Sequence, residues 1–212
     1  MIEICKDLYQ FTQELSFMNF TIHQYLLLTE DPILICTGTY QQAELILPEI
    51  KELLGDKKLK YILVPHIESD ECGGLSIFLN EYPDVITICS QIGARELPGF
   101  GYKGKVVAKE HGSMIEGDNF SIKCIDYPSE IHLQNGLVFY EEKRNIFFSS
   151  DLMLSFGDAT GKTIDGLWKT EINNITLQSI PNEDKLKSLK NHLNDISPKF
   201  IATMHGFCIN CK

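Results

Sequence analysis

His66, Glu68 and Asp70 stand at alternating positions in the stretch Val64 to Gly74. In extended backbone, alternating side chains point to one side. One imidazole and two carboxylates on one side could hold a metal ion; the bland alternative is a solvated acidic loop. The apolar run Tyr61 to Val64 comes just before and reads as a buried strand. The same placement recurs farther along. Asp151 ends the run Ile146-Phe147-Phe148-Ser149-Ser150, and His205 follows the run Phe200 to Met204. A carboxylate at the end of a buried strand needs a partner, a cap role or a cation. His132 lies between two further runs. Each residue alone is more often ordinary surface or capping chemistry. Together they repeat one pattern, polar ligand types where an apolar strand gives way to a loop.

The elements that would position them follow from periodicity. Thr21 to Leu28 and Pro32 to Cys36 read as strands joined at Glu30-Asp31, with a turn at Thr37-Gly38-Thr39. Ala43, Ile46, Leu47, Ile50, Leu53 and Leu54 recur at helical spacing, and Gly55 ends that helix. Gly73-Gly74 opens a helix carrying Leu75, Phe78 and Leu79, and Val85 to Cys89 is a strand. Val106-Val107, Phe120 to Ile125, Leu137 to Tyr140 and Ile146 to Phe148 read as strands separated by turns. A late helix carries Leu186, Leu189, Leu193 and Ile196, and Phe200 to Met204 is a closing strand. Strands and helices in both halves suit two packed sheets with helices outside, as a single domain spanning 1–212.

With 212 residues, 43% of them hydrophobic, the chain can bury one sizeable core and is short for two. A net charge of −10 argues against nucleic acid and anionic membrane surfaces as partners. Met1 to Tyr9 has no basic flank ahead of an apolar core, so no secretory leader is expected. No run approaches the ~20 apolar residues of a membrane span. The seven cysteines are an odd and mostly scattered set, which suits a reduced, cytoplasmic protein.

The ordered set His66-x-Glu68-x-Asp70, His132, Asp151 and His205-Gly206 resembles the metallo-β-lactamase fold, an αββα sandwich. More narrowly it resembles the diiron domain of the flavodiiron proteins, over nearly the whole chain. Zinc hydrolases of the fold carry histidine at the Glu68 position, and a carboxylate there favours iron over zinc. Glu68, Asp70 and Asp151 carry negative charge whose burial without cations would cost roughly several kcal/mol each. The resemblance implies two iron ions. His66, Glu68 and His132 would hold one, Asp70 and His205 the other, and Asp151 would bridge them. The family usually has histidine where this chain has Glu71. Glu71 is either a substitute oxygen ligand or turned away, leaving a position open. Tyr9 and His23 lie where the family tends to carry polar residues near the iron. Flavodiiron proteins continue into a flavodoxin domain, and this chain shows no flavin fingerprint, so no FMN is expected in it.

Three functions follow as expectations. Flavodoxin-less relatives, the oxygen-binding diiron proteins found with chemotaxis kinases, imply a dioxygen-binding sensor with a signalling partner and a homodimeric assembly. The runner-up is a dioxygen or nitric oxide reductase fed by an external flavoprotein. The third is a zinc-type hydrolase, which Glu68 disfavours. Two motifs are weaker. Gly157 to Thr163 has one residue too few between its glycines for a phosphate-binding loop. Cys208 and Cys211 form a C-x-x-C that is either a redox pair or an unremarkable tail.

Overall fold

A computed structural model describes residues 1–128 and 135–212. The expected ligand His132 lies outside the described residues. The first half builds a sheet of strands β1 (Ile2–Cys5), β2 (Leu8–Leu15), β3 (Phe20–Leu27), β4 (Ile33–Ile35), β5 (Tyr61–Leu63), β6 (Ile86–Ser90) and β7 (Lys105–Lys109), in that spatial order. The second half builds β8 (Met114–Gly117), β9 (Phe120–Tyr127), β10 (Gly136–Glu141), β11 (Ile146–Phe148), β12 (Thr163–Gly166), β13 (Phe200–Ala202) and β14 (Cys208–Cys211), ordered β12-β14-β13-β11-β10-β9-β8.

Three apolar layers hold the sandwich. The central one joins Leu8, Tyr25, Leu27 and Leu63 of the first sheet to Phe120, Phe139, Phe148 and Ala202 of the second. The outer face of the first sheet packs against α1 (Tyr40–Leu54), α3 (Leu75–Glu81) and α4 (Gln91–Gly99) through Leu34, Ile62, Ile50, Phe78 and Leu97. The outer face of the second sheet packs against α5 (Trp168–Asn174) and α6 (Glu183–Asn194) through Phe147, Ile201, Ile172, Leu189 and Leu193. Strands β5, β11 and β13 are covered on both faces, which is why each reads as a continuous apolar run rather than an alternation. The architecture is the expected αββα sandwich.

Several elements differ from the sequence reading. Strands β1, β2, β8, β12 and β14 and helices α4 and α5 were not expected, and a short turn of helix, α2 (Ser69–Cys72), occupies the ligand stretch. Cys208 and Cys211 lie on β14, not in a tail, and they face opposite sides of it. Cys208 is in the central core, whereas Cys211 packs against the outer one. Side chains three apart on a strand diverge, so the pair is not a redox couple, and both are free thiols. The stretch Gly157 to Lys162 leads into a strand rather than the helix a phosphate-binding loop needs. No helix among the described residues is long and apolar enough to cross a membrane.

Candidate metal centre

Among the described residues, His66, Glu68, Asp151 and His205 follow the C-terminal ends of buried strands, and those ends converge. Strands β11 and β13 run parallel and neighbouring, so Asp151 and His205 emerge side by side. β5 delivers His66 and Glu68 from the facing sheet. Glu68 is extended, with φ −102° and ψ 160°, so it shares a side with His66 as alternation requires. Asp70 reaches the centre differently. It lies within α2, and the helical turn swings it toward His205.

Asp151 stands between two imidazoles. Its Oδ2 is 3.4 Å from His66 Nε2, and its Oδ1 is 3.0 Å from His205 Nε2. Glu68 Oε1 lies 3.5 Å from His66 Nε2, and Asp70 Oδ2 lies 3.6 Å from His205 Nε2. Donor atoms of His66, Glu68 and Asp151 all lie within 4.8 Å of one another. Asp151 Oδ1 is buried without a hydrogen-bond donor, since His205 Nε2 beside it carries no proton when Nδ1 donates to the Thr21 carbonyl. A buried, unpartnered carboxylate oxygen is costly. A cation between these atoms would satisfy it, so the donor set fits a metal.

The far side of each imidazole is held. His205 Nδ1 donates to the Thr21 carbonyl at 3.1 Å, since a carbonyl can only accept. His66 Nδ1 faces Glu71 Oε2 at 2.9 Å, and the same oxygen accepts the His66 backbone N–H at 2.7 Å. Glu71 Oε1 accepts the Ser150 hydroxyl at 2.5 Å. Glu71 is thus fully buried behind the His66 ring, on the side away from Glu68 and Asp151. Burial alone would pull the His66 pKa down, but the Glu71 carboxylate, helped by Asp151 and Glu68, overrides it and raises the pKa to about 10. A cation would take over the charge balance that this proton supplies.

His23 is buried beneath the His205 turn, with Nε2 at 2.9 Å from the Gly206 carbonyl and Nδ1 at 2.8 Å from Thr12 Oγ1. Burial lowers its pKa to about 4, against the pull of that carbonyl. Tyr9 is elsewhere. It packs with the outer-face core of the first sheet.

Other residues of the site gave little signal in the sequence. Ser150 adopts a left-handed φ of 49°, unusual for a residue with a Cβ, and so turns its hydroxyl onto Glu71. Gly136 lets β10 pass close to the Pro65 carbonyl and His66 Cβ, and Leu137 N–H donates to that carbonyl at 2.8 Å. Phe20 stacks on His205 with ring centroids 4.4 Å apart, and Phe156 leans on Phe20 at 5.5 Å. A cavity of about 350 Å³ opens beside Asp151, lined also by Leu152, Ser155 and Phe207.

Residues 20–206 match the family model described as ODP family beta lactamase. A curated relative, the putative diflavin flavoprotein A 2 of Nostoc sp. (strain PCC 7120), is 25% identical over 133 residues, which are 62% of this chain and 23% of the relative. Among solved structures, rubredoxin oxygen:oxidoreductase of Desulfovibrio gigas aligns with a TM-score of 0.79 at 18% identity, over 99% of this chain and 57% of that one. The flavodiiron protein of Giardia intestinalis aligns with a TM-score of 0.80 at 16% identity, over 98% of this chain and 55% of that one. This chain therefore spans about a quarter of the curated relative and a little over half of each of these structures.

Proposed function

The chain belongs to the ODP family beta lactamases, and from that membership we propose that it is a non-haem diiron protein that senses dioxygen. The observation that carries this reading is Asp151, placed between His66 and His205 with one carboxylate oxygen toward each. On this reading His66, Glu68 and His132 hold one iron, Asp70 and His205 hold the other, and Asp151 serves both. Three carboxylates with histidines make a hard, anionic donor set, which supports iron over the zinc of a hydrolase. The names of two structural relatives, a flavodiiron protein and a rubredoxin oxygen:oxidoreductase, lend support to iron and to dioxygen as the ligand.

When bound, a ferrous pair supplies electrons and a coordination position to dioxygen. The chain's own residues set the terms. Glu71 holds the Nδ1 proton of His66 and the Thr21 carbonyl holds that of His205, so each Nε2 lone pair faces the centre. Glu71 on this reading orients His66 and does not ligate, which leaves the Asp70–His205 side one protein donor short of the family's usual set. His205 also has a route to the surface. Phe20 packs on its ring and Phe156, largely exposed at the site's rim, packs on Phe20. A shift of His205 on ligand binding would move that rim, and a partner responds only if it prefers one of the two states. By resemblance the partner is a signalling protein such as a chemotaxis kinase, and the protein a cytoplasmic homodimer.

The reductase reading, with dioxygen or nitric oxide reduced at the cost of an external flavoprotein, stands second. The oxidoreductase name of the Desulfovibrio relative favours it. An oxygen electrode separates the two. The sensor reading expects the ferrous protein to take up dioxygen once and then stop, with NADH, FMN and a generic flavin reductase present. Sustained consumption over many turnovers would replace it with the reductase reading.

A further inference from the structure

At the opposite end of β11 and β13 from the metal centre lies a second cavity, of about 560 Å³. It sits where strand ends and turns of the two sheets meet. Cys5, Lys6 and Asp7 come from the β1–β2 turn, Asn119 from the β8–β9 turn, and Lys143 and Arg144 from the β10–β11 turn. Lys199, Phe200 and Asn210 come from β13, its approach and β14.

The charges of this cavity are unbalanced. Arg144 is matched: Nε and Nη2 both donate to Asp7 Oδ2, at 3.3 and 3.0 Å, and Nη1 lies 3.7 Å from Glu141 Oε1. The three lysines are not. Lys143 Nζ donates only to the carbonyls of Gly117 and Asp118, at 3.4 and 2.9 Å. Lys6 and Lys199 have no carboxylate partner among the described residues. Three lysines with no carboxylate partner, around a hollow whose lining carboxylate, Asp7, is taken up by Arg144, stand out in a chain of 19 basic and 29 acidic residues, where acids are the commoner neighbour.

The hollow is also built rather than accidental. Fully buried Glu141 accepts the backbone N–H of Lys143 at 3.3 Å and that of Arg144 at 2.6 Å, which fixes the turn carrying both cations. The Asp7–Arg144 pair ties the two sheets together beneath it. Asn119 and Asn210 add amide groups at the rim, and Cys5, Ile146 and Phe200 supply apolar wall. A cavity of several hundred Å³ with a few converging polar groups and an apolar wall has the make-up of a small-molecule site. Ammonium groups that are point charges on flexible stems suit a phosphate.

We propose that this pocket binds the phosphate group of a small organic anion, with Lys6, Lys143 and Lys199 neutralising it and the Cys5–Phe200 wall taking its organic part. The proposal does not depend on which metal the other end holds. The test is calorimetry on the full chain at low ionic strength, with inorganic pyrophosphate and adenosine 5′-monophosphate as probes. Saturable binding with Kd below roughly 1 mM is expected. It should weaken about tenfold or more in Lys6→Gln/Lys199→Gln, and again with added salt. Both lysines are exposed, so the double variant should keep the wild-type circular dichroism. No saturable binding of either probe would overturn the proposal. So would binding that the double variant leaves unchanged, since the anion would then sit elsewhere, the metal centre included. A poly-glutamate peptide bound more tightly than either probe would overturn it in favour of an acidic protein partner.

Discussion

Glu71→Ala separates an orienting role from a ligating one, because the two roles have opposite consequences in the metal-free protein. Glu71 is fully buried and takes three hydrogen bonds: the His66 backbone N–H, His66 Nδ1 and the Ser150 hydroxyl. Removing the carboxylate strands all three donors in a dry site. A buried donor left unpaired costs about 1–3 kcal/mol, and removing one partner of a buried charge pair about 3–5 kcal/mol. These costs overlap, so the expected loss is about 3–5 kcal/mol. That is a large part of the ~5–15 kcal/mol that holds a domain together, and in a chain of this size it lowers Tm by roughly 6–20 °C. Urea denaturation of the metal-free variant is the assay. Glu71→Gln is the informative companion, since its oxygen can still accept both His66 bonds while its amide donates to Ser150. It should fold at near wild-type stability and lose about tenfold in metal affinity, the usual effect of weakening an outer partner of a ligand. A ligand pointed at an empty cation position behaves otherwise, because its removal relieves carboxylate repulsion. Metal-free Glu71→Ala as stable as wild type, or more so, would refute the orienting role.

Other perturbations bear on neighbouring parts of the account. Asp151→Ala should abolish binding of both metals together, measured by elemental analysis, whereas His205→Ala should empty mainly one position; two tightly held metals in Asp151→Ala would end the bridging assignment. Glu68 is about half exposed and its side chain makes no hydrogen bond within the site among the described residues, so Glu68→Ala should change metal-free stability by under about 0.5 kcal/mol yet lower metal content. His23 has a folded pKa of about 4 against 6.5 for an ordinary histidine. As pH falls from 6.5 to 4 the unfolded chain takes up a proton that the folded one refuses. The neutral ring therefore withdraws about 3 kcal/mol of stability over that window, and His23→Gln should flatten the acid side of the stability curve by that amount. Gly136→Ala should cost about 1–3 kcal/mol, because its Cβ would collide with the Pro65 carbonyl and crowd His66 Cβ. The same displacement should weaken metal binding at His66, and unchanged metal affinity would show that β10 does not set that ligand.

The parts of the fold that were legible in the sequence are those where one force dominates. β5, β11 and β13 are covered on both faces and read as unbroken apolar runs. α1 reads cleanly because its apolar period runs unbroken to Gly55, and the structure adds a capping box at its start, Thr39 with Gln42. Where polar side chains are buried, the pattern fails. β2 hides behind Gln10, which is buried because its amide reaches the Tyr25 hydroxyl at 3.3 Å. α4 carries Gly93 and Pro98, which argue against a helix locally, and tertiary packing through Leu97 overrides them. β12 and β14 are short and stabilise each other at a sheet edge, a pairing no local signal announces. In the site, residue types and strand ends marked the candidate positions that the structure brings together, but Glu71 was ambiguous because its direction depends on a single helical turn. Neighbours in a helix do not share a face, so Asp70 turns to His205 while Glu71 turns back under His66. Ser150 and Gly136 act through backbone conformation and close approach, which appear only once both sheets are in place.

Elemental analysis of the full chain after anaerobic reconstitution with a mixture of ferrous iron and zinc tests the central claim most directly. Three carboxylates around His66 and His205, with Asp151 between the rings, should hold about two irons per chain in preference to zinc. Zinc alone in the reconstituted protein, or one metal of any kind with Asp151 dispensable for it, would contradict the account.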